Sequence, residues 1–106
     1  MIRKAFLMEV QPGKAADYER THNPIWPELE AIFKRQGVHN YSIFIHEPTN
    51  QLFGYVEIED EARWNAIAGE AVCQKWWRYM TNFLVSRRPG DAKAKEDELR
   101  QVFHLD

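Results

Sequence analysis

The sequence predicts an α+β fold with its elements in the order β-α-β-β-α-β, in one domain spanning residues 1–106. Three observations predict it. The chain has 106 residues, enough for one hydrophobic core and too few for two. Hydrophobic residues make up 44% and charged residues 28%, a globular balance that excludes disorder as the main state. Segments with two-residue and helical periodicity follow one another, separated by Pro- and Gly-bearing breaks.

Ile2 to Val10 reads as the first strand. Ile2, Phe6, Met8 and Val10 share one face, with Ala5 and Leu7 on the other, so a central strand covered on both sides is expected. Gln11-Pro12-Gly13 breaks it. Lys14 to Thr21 is a short helix whose stripe carries Ala15, Tyr18 and His22. Pro24 and Pro27 rule out a straight continuation, because proline lacks a backbone donor and restricts the residue before it. Helix resumes near one of them, since proline suits a first turn. Its apolar stripe is Ile25, Leu29, Ile32 and Phe33, and Gly37 stands where a left-handed cap belongs.

Val38 to His46 is the second strand, with His39, Tyr41, Ile43 and Ile45 alternating with Asn40, Ser42 and Phe44. The turn Glu47-Pro48-Thr49-Asn50 joins it to a third strand, Gln51 to Ile58, as a hairpin. Asp60 caps a short helix through Trp64 and Ile67, and Gly69 ends it. Glu70 to Leu84 is a stronger helix with Val72, Cys73, Trp76, Met80 and Phe83 along one stripe. In Ser86 to Glu98 eight of thirteen residues are charged, which predicts a mobile, solvated loop. Leu99 to Leu105 is the expected last strand. This order is the ferredoxin-like pattern.

Composition excludes several functions. The net charge is −2, so no basic excess attracts nucleic acid. No apolar run approaches the roughly 20 residues of a membrane span. Glu9 interrupts the apolar start too early for a signal peptide, and a first strand accounts for it better. Cys73 is the only cysteine, so no disulfide framework or cysteine metal cluster is expected, and a reducing cytoplasm is the default. The histidines lack metal-ligand spacing. Four Trp, four Tyr and six Phe are more rings than one small core hides, which suggests an aromatic-lined cleft.

His22 ends its helix just before the proline break. Its side chain either bonds the last helical carbonyls or works as an acid–base group, since its ordinary pKa is near neutrality. Tyr18, one turn earlier, either points into the same cleft or packs as an ordinary core residue. Trp76 and Trp77 diverge by about 100° on a helix, so both cannot centre one buried stripe. One anchors the core; the other faces an edge, a partner or a pocket, where an indole can stack on a sugar. Tyr41 reaches the cleft or pairs across the hairpin with Phe53 or Tyr55.

Several blocks carry more than these general signals. His22-Asn23-Pro24-Ile25-Trp26-Pro27-Glu28-Leu29-Glu30, His39-Asn40-Tyr41, Arg63-Trp64-Asn65-Ala66, Val72-Cys73-Gln74-Lys75-Trp76-Trp77 and Tyr79-Met80 occur in the order found in the L-rhamnose mutarotase family. The likeness continues to Val102-Phe103, so the chain resembles that family over nearly its whole length. The resemblance implies a cytoplasmic enzyme interconverting the α and β anomers of L-rhamnopyranose. It implies a homodimeric α/β-barrel of two ferredoxin-like subunits with no metal or organic cofactor. It implies that His22 is the proton donor and that Tyr18, Tyr41, Trp76 and Trp77 contact sugar. Mutarotation also needs a second proton carrier, for which the sequence leaves Tyr41, Tyr18 and a water open. A dimer also follows from the rings, because a lone sheet would leave an apolar face in water; Phe6, Phe44 and Phe53 are candidates to cross that interface. Two other readings fit the aromatic content: a cofactor-free oxygenase on a similar barrel, and a non-catalytic sugar-binding module.

Overall fold

A computed structural model describes all 106 residues. The elements are β1 (Ile2–Glu9), α1 (Ala15–Thr21), α2 (Pro27–Arg35), β2 (Val38–His46), β3 (Gln51–Ile58), α3 (Glu61–Ala66), α4 (Ala71–Met80) and β4 (Asp97–Leu99), with a 3-10 turn, Ile67–Gly69, between α3 and α4. The sheet order is β2-β3-β1-β4, every neighbouring pair antiparallel. Each crossover therefore skips one strand, which is the ferredoxin-like arrangement.

Local chemistry accounts for most boundaries. Asp60 Oδ1 accepts from the Ala62 N–H at 2.7 Å and opens α3. Pro27 sits in the first turn of α2, after a cis Asn23–Pro24 peptide. Gly37 follows α2 at φ +75°, the left-handed region that glycine enters without a Cβ clash.

The core lies on one face of the sheet. Phe6, Met8 and Val10 from the β1 end meet Leu52, Val56 and Ile58 of β3, and the layer closes against Leu29 and Ile32 of α2 and Cys73, Trp76 and Met80 of α4. Phe6 stands opposite Gly54, where a Cβ would lie 2.3 Å from its ring. The ring fills that gap, so Phe6 belongs to this chain's core, 5% exposed, and not to an intersubunit face as expected. Phe44 and Phe53 do pair on the opposite face, 66% and 41% exposed.

β2 does not alternate as the sequence suggests. His39 pairs with Glu57 and Ser42 with Tyr55, so Asn40 and Tyr41 together oppose Val56. This is a β-bulge, with Asn40 at φ +47°, a conformation asparagine tolerates better than most residues. The extra residue reverses the face. His39 shares the outer face with Ser42 and Phe44, while Tyr41, Ile43 and Ile45 turn toward the helices. Tyr41 accordingly packs beside Phe6, Phe33 and Trp64, and not across the hairpin on Phe53 or Tyr55.

Two further boundaries differ. α4 stops at Met80 and does not reach Leu84. The Thr81 hydroxyl and the Asn82 amide donate to the carbonyls of Arg78 and Tyr79, and Leu84 forms a bridge with Val10. Gln11 also donates its side-chain amide to the carbonyls of Thr81 and Leu84 at 3.2 and 2.9 Å. Backbone groups that a longer helix needs are thus engaged by the end of β1. The last strand is Asp97–Leu99, against Leu7, Phe6 and Ala5, and residues 100–106 have no regular structure. A three-residue strand is set by its partner, not by its own periodicity.

Candidate active site

Four elements and two loop segments surround a pocket on the helix-covered side of the sheet. Tyr18, His22, Tyr41, Trp76 and Trp77 all line it, together with Met8, Ile43, Met80 and Leu84. The five residues singled out from the sequence therefore meet in space. They come from α1, β2 and α4, which no local periodicity relates.

His22 is the half-buried residue that closes α1. Its ring lies 4.6 Å from that of Tyr18 and meets Trp76 edge-on at 5.2 Å. Nδ1 is 3.2 Å from the Tyr18 carbonyl and 2.9 Å from the Thr21 hydroxyl. A carbonyl only accepts, so Nδ1 carries the proton and donates to it. Nε2 then keeps its lone pair, and no group of this chain hydrogen-bonds it. The helix-end reading is what the geometry shows: the ring bonds the carbonyl of its own helix, and its other nitrogen is left without a partner in a residue that lines the pocket. Burial holds the His22 pKa below its usual value, against a smaller opposing effect of the Tyr18 carbonyl. Desolvation thus outweighs the preference of a helix C-terminus for imidazolium, and the ring is neutral at pH 7.

The two phenols are driven the other way. Burial, reinforced by the Glu96 carboxylate, holds Tyr18 and Tyr41 well above the ordinary tyrosine range. They act as O–H donors at neutral pH, not as bases. Tyr41 retains 37% of its surface exposed; the hydroxyl is the deep end of a ring whose other parts meet solvent. The bulge at Asn40 delivers it there, and the Phe6 edge, 5.9 Å from its centroid, supports the ring.

Trp76 and Trp77 divide as their 100° offset requires. Trp76 is 7% exposed and packs on Trp26 at 4.9 Å and on His22. Trp77 is half-buried at the rim, with the Lys93 ammonium 4.3 Å from its ring centroid.

Lys93, Ala94, Lys95 and Glu96 complete the wall, which the sequence assigned to a solvated loop. That segment is tied down. The Lys95 N–H donates to the Val85 carbonyl at 3.0 Å, Ala94 packs on the core, and Arg87 pairs with Asp97. Charge density alone reads as solvent exposure; only the pairing of β4 with β1 brings these residues over the site.

A family model described as L-rhamnose mutarotase matches residues 3–105. An L-rhamnose mutarotase from Opitutus terrae is 58% identical over 106 residues, covering 100% of both chains. Among solved structures, an L-rhamnose mutarotase from Formosa agariphila superposes with a TM-score of 0.87 at 31% identity, covering 100% of both chains. A putative antibiotic biosynthesis monooxygenase from Nitrosomonas europaea superposes with a TM-score of 0.65 at 12% identity, over 97% of this chain and 100% of its own. The last likeness concerns the fold alone.

Proposed function

The chain belongs to the L-rhamnose mutarotase family, and we propose that it interconverts the anomers of L-rhamnose with His22 as the acid–base group. Ring opening requires a proton to leave the anomeric hydroxyl and one to reach the ring oxygen. The His22 Nε2 lone pair takes the proton from O1 as the C1–O5 bond breaks. The Tyr18 or Tyr41 hydroxyl, directly or through one water, supplies O5. The open-chain aldehyde rotates about C1–C2, and O5 attacks the other face of C1 as its hydroxyl proton returns to the phenolate that supplied it, directly or through the same water. The imidazolium then returns its proton to O1, so the same nitrogen is base in opening and donor in closure.

The observation that carries this reading is the His22 geometry, with Nδ1 held by a carbonyl and Nε2 unpartnered beside two phenols that stay protonated. Trp76 and Trp77 offer apolar ring surface to the C–H faces and methyl group of the sugar. The reaction needs no cofactor in this scheme and takes place in the cytoplasm. Saturation-transfer NMR tests it: added protein should accelerate α/β exchange of L-rhamnose, with EDTA present throughout. Binding without acceleration would favour a non-catalytic sugar module.

The active unit in this proposal is a two-fold dimer. The outer sheet face carries Phe44, Phe53 and Leu99 in contact with solvent, and Val102, Phe103 and Leu105 are each nearly 80% exposed. A second copy covering this face would close the barrel and remove those side chains from water.

A further inference from the structure

Resting on the mutarotase reading, we propose that Glu96 is the hydroxyl-binding carboxylate of the sugar site, with Lys93 as its counter-ion, and that it sets which monosaccharides the pocket accepts. Strand alternation places it there. Glu98 pairs with Phe6 and Asp97 with Leu7, so the next position back, Glu96, falls on the face of Phe6 and Met8. Met8 lines the pocket, and so does Glu96. Asp97 points to the other face, where Arg87 pairs with it. The bond from Lys95 N–H to Val85 fixes the backbone just before Glu96, and the β4 ladder fixes it just after.

The Glu96 side chain is 34% exposed, and the one cation within 4.0 Å of it is Lys93, at 3.6 Å. No hydrogen bond within the chain engages either carboxylate oxygen, whereas Glu98, on the same face two positions on, accepts from Lys4. An ionised carboxylate is acceptor-only and holds about four lone-pair positions. One that lines the pocket, is reached by solvent and accepts no hydrogen bond from its own chain suits a ligand rich in O–H groups. Its charge also reaches both phenols, raising Tyr18 and Tyr41.

The rest of the wall makes the assignment specific. Met8, Ile43, Met80 and Leu84 are apolar, while His22 and the phenols serve O1 and O5 in the proposed reaction. The ring hydroxyls at C2, C3 and C4 remain, and Glu96 is the pocket's one carboxylate to receive them. Two neighbouring hydroxyls can donate to its two oxygens, a charge-assisted arrangement. A sugar with a displaced or missing hydroxyl would leave that carboxylate short of a donor.

The test is anomer exchange as a function of sugar concentration, by NMR, for the wild type, Glu96→Gln, Glu96→Asp and Glu98→Gln, on L-rhamnose and its 2-, 3- and 4-deoxy analogues. Glu96→Gln should raise KM for L-rhamnose roughly tenfold or more with kcat nearly unchanged, since hydrogen bonds to charged groups are worth about that much. At least one deoxy sugar should bind the wild type more weakly, and that penalty should shrink in Glu96→Gln. Glu96→Asp should fall between, and Glu98→Gln, outside the pocket, should match the wild type. An unchanged KM and unchanged deoxy penalties in Glu96→Gln would overturn the assignment, as would a loss confined to kcat. No acceleration by the wild type would instead overturn the mutarotase reading itself.

Discussion

Replacing His22 by glutamine should remove most of the catalysis while keeping most of the packing. The choice of glutamine follows from the site. The imidazole touches the Tyr18 ring at 4.6 Å and the Trp76 ring at 5.2 Å. Ring contacts of this kind are worth about 0.5–1.5 kcal/mol each. His22→Ala therefore risks about 1–3 kcal/mol of stability, or roughly 4–8 °C in Tm per kcal/mol for a domain near this size. Glutamine fills much of that space and can still donate to the Tyr18 carbonyl, but it cannot take a proton from an anomeric hydroxyl. Positioned proton transfer contributes roughly 10²–10⁴-fold, about 2.7–5.4 kcal/mol of barrier. Exchange catalysed by His22→Gln should fall by that factor with a native circular dichroism spectrum. The wild-type rate should be level above the ordinary histidine pKa of about 6.5 and fall only at lower pH, because the folded value is depressed. The stability linkage has the same direction: as pH drops below about 6.5 the unfolded chain takes the proton first, so His22's contribution is lost toward its lower folded pKa. Retention of more than a tenth of the wild-type exchange by a natively folded His22→Gln would refute this reasoning and move the proton transfer to another group.

Other outcomes follow from the same geometry. Gly54→Ala should destabilise the protein by about 1–3 kcal/mol in thermal melts, because its Cβ would stand 2.3 Å from the Phe6 ring, and catalysis should suffer as Phe6 shifts beneath Tyr41. Phe44→Asp should give a monomer in sedimentation velocity at micromolar concentration, whereas a wild type that is itself monomeric there would reject the barrel dimer. Cys73 should resist iodoacetamide at pH 8 until the protein is unfolded, since it is 3% exposed and burial pushes its thiol up to about 11.

Signals that act within a few residues were legible in the sequence. The Asp60 cap, the left-handed Gly37 and the Tyr18–His22 stack depend on chain neighbours a few positions apart, the hairpin between residues 38–46 and 51–58 on the short turn that joins its strands, and all appear in the structure. The Trp76–Trp77 pair was legible for the same reason, because the helix sets their angular offset whatever they touch. The HNPIWPELE and CQKWW blocks added the family, which periodicity alone would not have reached.

What only the tertiary structure decided depends on partners distant in sequence. Glu96 enters the pocket because a three-residue strand pairs with β1, some ninety positions away along the chain. Tyr41 faces inward because a bulge against Val56 reverses the alternation after His39. α4 ends at Met80 because β1 and Gln11 take the backbone groups that follow. Phe6 turns inward into the gap above Gly54. In each case the energy is that of a hydrogen bond or contact between two remote segments. Neither segment carries it alone, so charge density reads residues 86–98 as the largely exposed segment they form and does not show that residues 93–96 line the pocket.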